Sequence, residues 1–297
     1  AAPGPPGAAI SHPTSGKTAR EATMSDFKYS AHVGYLFTDK PLNERIAAAA
    51  RHGFSAIEHP SPYDVPAQDM AQWLGDAGVP YTQFGLHSGD ARRGEKGLAI
   101  FPERRDDFRR SVSDGLDYAE AIGVKMVHAM AGVLPLASRN RHHWDCYVES
   151  LAYAARQAES RGITILVEAM SAGAVPDYFI ETPDRGAEAI GETGQANIGL
   201  LFDVFHAVNM GLNPDAQLRK HARLISHVHI ADFPGRHEPG SETLDFDAIE
   251  RTLADIGYKG WLGCEYVPAG QTEAGLGWLK AKIGAGASTT KPIEVHQ

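Results

Sequence analysis

Four side chains that can hold a metal ion or move a proton lie at the ends of four separate apolar runs. They are Glu168 ending 163–168, Asp203 ending 198–203, His229 ending 225–229 and Glu265 ending 261–265. Such runs are typical of strands buried in a parallel sheet, where a charge at the carboxyl end requires a cavity beyond it. A single carboxylate there could equally cap a loop or pair with an arginine. When three carboxylates and an imidazole converge, the carboxylates repel one another unless a cation lies among them. The four residues together therefore predict one metal site.

The predicted ligands are three carboxylates and one imidazole, a mostly hard set that suits Mn²⁺, Mg²⁺ or Co²⁺. The imidazole favours Mn²⁺ among these ions. A structural zinc site is disfavoured, because such sites are usually built from closely spaced Cys and His residues. We therefore expect one divalent ion, Mn²⁺ or Mg²⁺ with Co²⁺ as a further candidate, at an open and catalytic rim.

The intervals between the four residues each leave room for a crossover helix and a return strand. They are 203 − 168 = 35, 229 − 203 = 26 and 265 − 229 = 36 residues. Strands are predicted near 28–33, 54–58, 81–86, 125–130, 163–168, 198–203, 225–230 and 261–265. Helices are predicted over Leu42–His52, Ala67–Ala77, Glu103–Ile122, His143–Arg161, Thr182–Glu192, Asp215–Ala222, Phe246–Ile256 and Thr272–Lys282. This alternation predicts an α/β fold, a single (β/α)8 TIM barrel whose chemistry lies at the carboxyl ends of its strands.

The composition of the two chain ends and the positions of several glycines support these boundaries. The barrel is predicted to span 24–283, after a flexible leader (1–23) that lacks the pattern of an export signal and before a flexible tail (284–297) without periodicity. The glycines between Gly85 and Gly97 predict a mobile loop that closes over a substrate. Glycines that favour a left-handed helix end follow five of the predicted helices, at Gly53, Gly78, Gly123, Gly162 and Gly257.

Composition excludes several classes of partner. The 297 residues are 43% hydrophobic and 22% charged, which are ordinary globular values, and no apolar run is long enough for a membrane helix. The net charge of −9, without a long basic stripe, argues against a nucleic-acid partner. Cys146 and Cys264 form neither a CxxC pair nor a disulfide framework, so we expect a reducing, cytoplasmic environment. The choice between a monomer and a homo-oligomer stays open.

From about Phe27 to Trp278 the chain resembles the hydroxypyruvate isomerase family of the xylose-isomerase-like barrels, most closely its 2-oxo-tetronate isomerase branch. Six stretches in the right order carry the resemblance. They are Val127–Gly132, Ile165–Ser171, Phe202–His206, His227–Ala231, Arg236–Pro239 and Gly260–Tyr266. The chain departs from the family at His229, where those isomerases mostly carry Gln and the related ketose 3-epimerases carry His.

The resemblance implies roles for the same four residues. Glu168 and Glu265 would bind the metal and serve as the acid/base pair, while Asp203 and His229 would complete the coordination. His206 would contact substrate oxygens; a loop histidine bonded to backbone is the alternative.

Three further residues are assigned to the substrate site. Arg236 could clamp a substrate carboxylate with two hydrogen bonds, against the alternative of a solvated surface arginine. Glu58 matches a family position, and we expect it to orient a metal ligand or His206. His128 ends the fourth predicted strand, where a packed histidine is as good an interpretation as a substrate contact.

The chemistry follows from these groups. Moving a carbonyl between adjacent carbons requires a proton to leave one carbon, an enediolate to form, and a proton to return one carbon away. A divalent ion stabilises the oxyanion and a carboxylate carries the proton. We expect an isomerase for a small hydroxy-oxo-acid, either 2-oxo- and 3-oxo-tetronate or hydroxypyruvate and tartronate semialdehyde.

Three alternatives remain. The first is a ketose 3-epimerase of the D-tagatose 3-epimerase type, favoured by His229 and disfavoured by the Arg236 loop. The second is a non-catalytic metal- or sugar-binding barrel. The third, an abasic-site endonuclease, would need more zinc-binding histidines and a basic face.

Overall fold

The fold is built on a ring of eight parallel strands. The computed structural model describes residues 27–287; the leader predicted for 1–23 and the tail beyond 287 lie outside them. The ring order is β2-β1-β8-β7-β6-β5-β4-β3, and one bridge joins Ile57 of β2 to Tyr81, two residues before β3, so the predicted barrel is confirmed as a nearly closed ring. The strands are β1 (Lys28–His32), β2 (Ala56–Glu58), β3 (Gln83–Gly85), β4 (Met126–His128), β5 (Thr164–Glu168), β6 (Ile198–Asp203), β7 (Ile225–Ile230) and β8 (Trp261–Cys264).

Helices follow the strands in the predicted order. One additional short helix, α6, begins directly after β6, because the Asp203 side chain accepts a hydrogen bond from the His206 N–H (3.1 Å) and caps it. The last helix begins five residues later than predicted, because a 3₁₀ turn occupies Thr272–Gly275. The helices are α1 (Leu42–Arg51), α2 (Ala67–Ala77), α3 (Arg105–Ile122), α4 (Arg141–Glu159), α5 (Pro183–Thr193), α6 (Val204–Asn209), α7 (Pro214–His221), α8 (Phe246–Asp255) and α9 (Gly277–Ala287).

The main apolar core lies between the ring and the helices. A Cβ at Gly186 of α5 would meet Leu200 and Val167, so alternate residues of β5 and β6 face the helical layer. Tyr29 of β1 likewise packs edge-on against Trp278 of α9. Each fully buried aliphatic side chain stabilises the fold by roughly 1.5–3 kcal/mol. This apolar layer between the strands and the helices holds the strands together. Strand residues that point into the ring can therefore be polar.

The glycines, the cysteines and the apolar character of the helices are also the subject of predictions from the sequence. The five glycines expected at helix ends all have positive φ, between 62° and 96°. Both cysteines are buried and free. Within residues 27–287, no helix combines the length and the apolar character needed to cross a membrane. The mobility of the loop between Gly85 and Gly97 stays a prediction.

Candidate active site

The four residues at the strand ends meet at one point of the barrel mouth. Glu168 ends β5, Asp203 ends β6, His229 lies in β7, and Glu265 directly follows β8. One ligand atom from each lies within 4.8 Å of the ligand atoms of the other three. Parallel strands side by side end at the same rim, and the register pairs Asp203 with His229. We call these four residues the outer set.

Burial makes the charges of the outer set costly. Burial raises the pKa of Glu168 well above its usual range, and the negative charge of Glu265 raises it further. Burial would also raise the pKa of Glu265, but Arg236 and His229 outweigh it and hold that pKa well below its usual range. A cation among these carboxylates would favour the charged form of both.

One ring nitrogen of His229 faces a supporting carboxylate, and the other faces Glu265 of the outer set. Its Nε2 lies 3.3 Å from Glu58 Oε2, so this nitrogen can donate its proton to Glu58. Its buried Nδ1 lies 2.8 Å from Glu265 Oε2, but without the geometry of a hydrogen bond. An imidazole fixed by a carboxylate on one nitrogen, with a lone pair on the other, is the usual arrangement of a metal-binding histidine. The outer set therefore fits a divalent cation in donor type and in orientation.

Glu58 is the centre of a second, fully buried polar cluster. Its Oε2 accepts hydrogen bonds from His227 Nε2 (2.9 Å), Gln83 Nε2 (3.1 Å) and Thr82 Oγ1 (3.2 Å), in addition to the contact with His229. Burial would raise the pKa of Glu58, but the two histidines outweigh it and lower it below its usual range. Of the two partners expected for Glu58, the structure places it against the predicted ligand His229 rather than His206. We call Glu58 and His227 the inner set.

Gly263 of β8 makes room for the inner set. A Cβ at this position would lie 2.1 Å from Glu58 Oε1, 2.6 Å from His229 Cδ2 and 2.8 Å from His227 Nε2. Any larger residue would therefore push these side chains out of place. Sequence reasoning assigned no role to His227 or Gly263, although the alternation of β7 places His227 on the same face as His229.

Arg236 lies inside the site. Its Nη2 donates to Asp203 Oδ2 (2.8 Å) and Glu265 Oε2 (2.6 Å), and its guanidinium lies over the Phe205 ring at 4.8 Å. Burial would lower the pKa of Arg236, but Glu265 and Asp203 outweigh it and raise it. The solvated surface arginine is therefore excluded, and Arg236 is available to an anion at the mouth.

The loop that presents Arg236 is held by one buried carboxylate, Asp232, which sequence reasoning missed. Asp232 is 0% exposed and accepts five backbone N–H bonds of 2.8–3.1 Å. Their donors are Phe233, Gly240, Glu242, Thr243 and Leu244. A carboxylate surrounded by N–H donors makes strong, charge-assisted hydrogen bonds. Asp232 therefore fixes the path of residues 233–244, in which Arg236 adopts a left-handed φ of 57°.

His206 is oriented by its neighbours on the side opposite the mouth. Its Nδ1 accepts from the Ser171 N–H (3.3 Å) and lies 3.0 Å from Ser171 Oγ, to which Asn209 donates. The proton of the neutral ring therefore lies on Nε2, which is 3.4 Å from Arg236 Nη1. Asp203 Oδ2 lies 3.8 Å from this Nε2, and a substrate oxygen or carboxylate could accept from both donors.

Two further buried histidines border the outer set. His128, a predicted site residue, has Nδ1 3.7 Å from Glu168 Oε2, and His32 at the end of β1 has Nε2 3.6 Å from Glu265 Oε1. Burial lowers the pKa of both rings, to about 4 for His128. Sequence reasoning missed His32, although it lies at a strand's carboxyl end like the residues it identified.

Comparison with known proteins agrees with this architecture. The chain matches the model of the xylose isomerase-like TIM barrel family over residues 46–282. It is 35% identical to the 2-oxo-tetronate isomerase of Cupriavidus necator over 257 residues, 86% of this chain and 99% of that protein. It is 30% identical to the hydroxypyruvate isomerase of Escherichia coli over 252 residues, 85% and 98% of the two chains.

Among solved structures, the crystal structure of an AP endonuclease of family 2 from Brucella melitensis is similar over most of its length. The TM-score is 0.84 at 32% identity, and the match covers 86% of this chain and 98% of that one. The chain is thus an isomerase that belongs to the xylose isomerase-like TIM barrel family, together with the 2-oxo-tetronate and hydroxypyruvate isomerases.

Proposed function

We propose that this protein is a metal-dependent isomerase that moves a carbonyl between adjacent carbons of a small hydroxy-oxo-acid. The candidate substrate pairs are 2-oxo- and 3-oxo-tetronate, and hydroxypyruvate and tartronate semialdehyde. One observation carries the proposal: two carboxylates at one centre, Glu168 and Glu265, lie beside a guanidinium and an imidazole that can hold a carboxylate.

The outer set would hold the metal ion, Mn²⁺ or Mg²⁺ with Co²⁺ as a further candidate, because three carboxylates and one imidazole suit these ions. When bound, the ion polarises the substrate carbonyl and stabilises the negative charge that develops on oxygen. Glu58 would keep His229 in the tautomer whose Nδ1 lone pair faces the centre.

Glu168 and Glu265 would move the proton between the two carbons. They come from β5 and β8, which are separated in the ring by β6 and β7, so their carboxyl groups reach a bound substrate from different sides. One would remove the proton from the hydroxyl-bearing carbon to give the enediolate, the hydroxyl proton would pass to the former carbonyl oxygen, and a carboxyl group would return a proton to the second carbon. Burial of Glu168 would limit the access of water to that carboxyl group.

Arg236 and His206 would bind the substrate carboxylate. The guanidinium forms charge-assisted hydrogen bonds in a fixed plane, and His206 adds a neutral donor at its side. Without substrate, Arg236 bonds to Asp203 and Glu265, so a bound metal ion and a substrate carboxylate would together replace these contacts.

Deuterium exchange tests this proposal. Metal-loaded protein is incubated in heavy water with hydroxypyruvate, 2-oxo-tetronate and free ketoses, and the products are identified. We expect deuterium at carbon and a moved carbonyl for an oxo-acid only. Deuterium uptake by a ketose with inversion of a carbinol and an unmoved carbonyl would contradict the proposal.

The ketose 3-epimerase remains the second candidate because of His229. The two activities need the same proton transfer, but a neutral ketose offers no charge to Arg236. The ratio of kcat/KM for oxo-acids to that for ketoses therefore separates them. Ligand binding with no exchange of any carbon-bound proton would instead indicate a binding barrel, and cleavage of abasic DNA would indicate the endonuclease.

A further inference from the structure

Two buried imidazoles border the outer set at both ends of its arc. Around the ring the strands run β4, β5, β6, β7, β8, β1. This order places His128 of β4 next to Glu168 of β5, and His32 of β1 next to Glu265, which follows β8. Each of the two carboxylates proposed to carry protons therefore has its own histidine neighbour.

Neither histidine is bonded to its carboxylate. The distances, 3.6 Å from His32 Nε2 to Glu265 Oε1 and 3.7 Å from His128 Nδ1 to Glu168 Oε2, are too long for hydrogen bonds. Within residues 27–287 the other nitrogen of each ring, His32 Nδ1 and His128 Nε2, is buried and has no hydrogen-bond partner. The nitrogen of each ring that lies nearest its carboxylate, His32 Nε2 or His128 Nδ1, is therefore the one that a ligand at the mouth can meet.

The packing around His32 determines which nitrogen can meet a ligand. A Cβ at Gly34 would lie 3.0 Å from His32 Cε1 and 3.2 Å from Nδ1, so this edge faces the turn after β1. The Tyr35 ring lies against the face of the imidazole, with centroids 4.8 Å apart. The ring is therefore fixed with Nε2, rather than Nδ1, directed at Glu265.

A nitrogen and an oxygen 3.6–3.7 Å apart can both contact one further atom. An oxygen placed between them lies at about 2.8 Å from each, the ordinary hydrogen-bond distance. A hydroxy-carbonyl compound carries two such oxygens, on the two carbons between which the proton moves. The site offers two such positions, one on either side of the outer set.

We propose that His32 is a substrate-binding residue, whose Nε2 shares one substrate oxygen with Glu265, while His128 Nδ1 and Glu168 hold the neighbouring oxygen. The ligand class is a small acid with oxygens on two adjacent carbons. This inference rests on the proposed function, and it gives a role to the two ring nitrogens that face the carboxylates without bonding to them.

Amide substitutions can test which nitrogen matters, because a Gln amide replaces the Nε2 of histidine and an Asn amide replaces Nδ1. For His32 the geometry requires His32→Gln to retain ligand binding and His32→Asn to lose it. For His128 the order is reversed, with His128→Asn retaining binding and His128→Gln losing it. The same two substitutions at His142, which is exposed at the start of α4, serve as matched controls.

Binding of inert acids to the Mn²⁺-loaded protein gives a readout that is independent of turnover. Glycerate carries both oxygens, whereas lactate and 3-hydroxypropanoate each lack one. By calorimetry we expect His32→Asn to weaken glycerate binding roughly tenfold, the effect of one hydrogen bond. It should weaken binding of one of the two singly hydroxylated analogues equally and leave the other unchanged, and His128→Gln should show the complementary pattern.

Metal affinity and thermal unfolding complete the test. Mn²⁺ binding should stay within threefold of the unaltered protein in all four variants. Equal losses in the Gln and Asn variants at each position, or glycerate binding no tighter than either singly hydroxylated analogue, would overturn the proposal. A parallel loss of Mn²⁺ affinity would overturn it too, since the histidines would then support the metal. Absence of isomerase activity with an intact analogue pattern would refute the proposed function alone.

Discussion

The outer and inner sets both combine carboxylates with imidazoles and are joined by the contact of His229 with Glu58, yet they differ in what surrounds them. In the inner set, Glu58 is 0% exposed and its Oε2 accepts four contacts from neighbouring side chains. In the outer set, the Glu265 side chain is 16% exposed, and its charged neighbours are Arg236, His229 and His32. Because protein groups surround Glu58 Oε2, we propose a supporting role for the inner set, whereas the carboxylates of the outer set converge at an opening and could hold an external cation.

Replacing Glu168 by Gln should have the largest effect, because it removes a proton carrier of the outer set without changing its size. We expect kcat to fall by roughly 10²–10⁴-fold, the usual contribution of general acid–base catalysis. Steady-state kinetics with the oxo-acid measures this. Glu188→Gln, at an exposed position of α5, should leave kcat unchanged; an equal loss in both variants would mean that Glu168 has no special role.

Replacing Glu58 by Gln should act on the outer set through His229. The neutral amide can no longer fix His229 by accepting its Nε2 proton as a carboxylate does, so we expect Mn²⁺ affinity to fall by about 10–100-fold. Calorimetric titration with Mn²⁺ measures this. If Mn²⁺ instead binds unchanged while the protein unfolds at a lower temperature, the inner set supports only the fold.

Replacing Gly263 by Ala should disturb both sets together. The added methyl group would lie 2.1 Å from Glu58 Oε1, and such overpacking typically destabilises a core by about 1–3 kcal/mol. We expect a lower free energy of unfolding in denaturant titration, together with weaker Mn²⁺ binding. Gly191→Ala, where nothing lies within 4 Å of the added Cβ, is the control; similar results for both would show that the inner set is not tightly packed.

Replacing Asp232 by Asn should have the smallest of these effects, because it acts on the site only through Arg236. If the amide keeps its oxygen toward the other three donors, the N–H groups of Gly240 and Glu242 would face an NH2 group that cannot accept, so we expect KM for the oxo-acid to rise several-fold to about tenfold with kcat changed less. Kinetics of Asp232→Asn, Arg236→Lys and the double variant test this. Fully additive losses would show that Asp232 does not act through Arg236.

The alternation of apolar runs with helical patterns was sufficient to predict the barrel and the four residues of the outer set. Glu168 and Asp203 were identifiable because each ends an uninterrupted buried run, which places it at the rim of any parallel barrel. The sequence also predicted the left-handed glycines, such as Gly123, because a helix end has a local signature.

The supporting residues were not predictable in the same way. The role of Asp232 depends on five N–H groups spread over residues 233–244, which converge only when the loop folds. Gly263 matters because side chains from β2 and β7 meet above it, a contact between distant parts of the chain. His32 follows a single alanine rather than an apolar run, so the pattern that identified Glu168 did not identify it.

Anomalous X-ray diffraction from crystals grown with Mn²⁺ tests the central claim most directly, because it shows which of the two sets binds the ion. We predict one anomalous peak at the mouth, within bonding distance of Glu168, Asp203, Glu265 and the Nδ1 atom of His229. A peak between Glu58 and His227, or no peak at either set at saturating Mn²⁺, would contradict it.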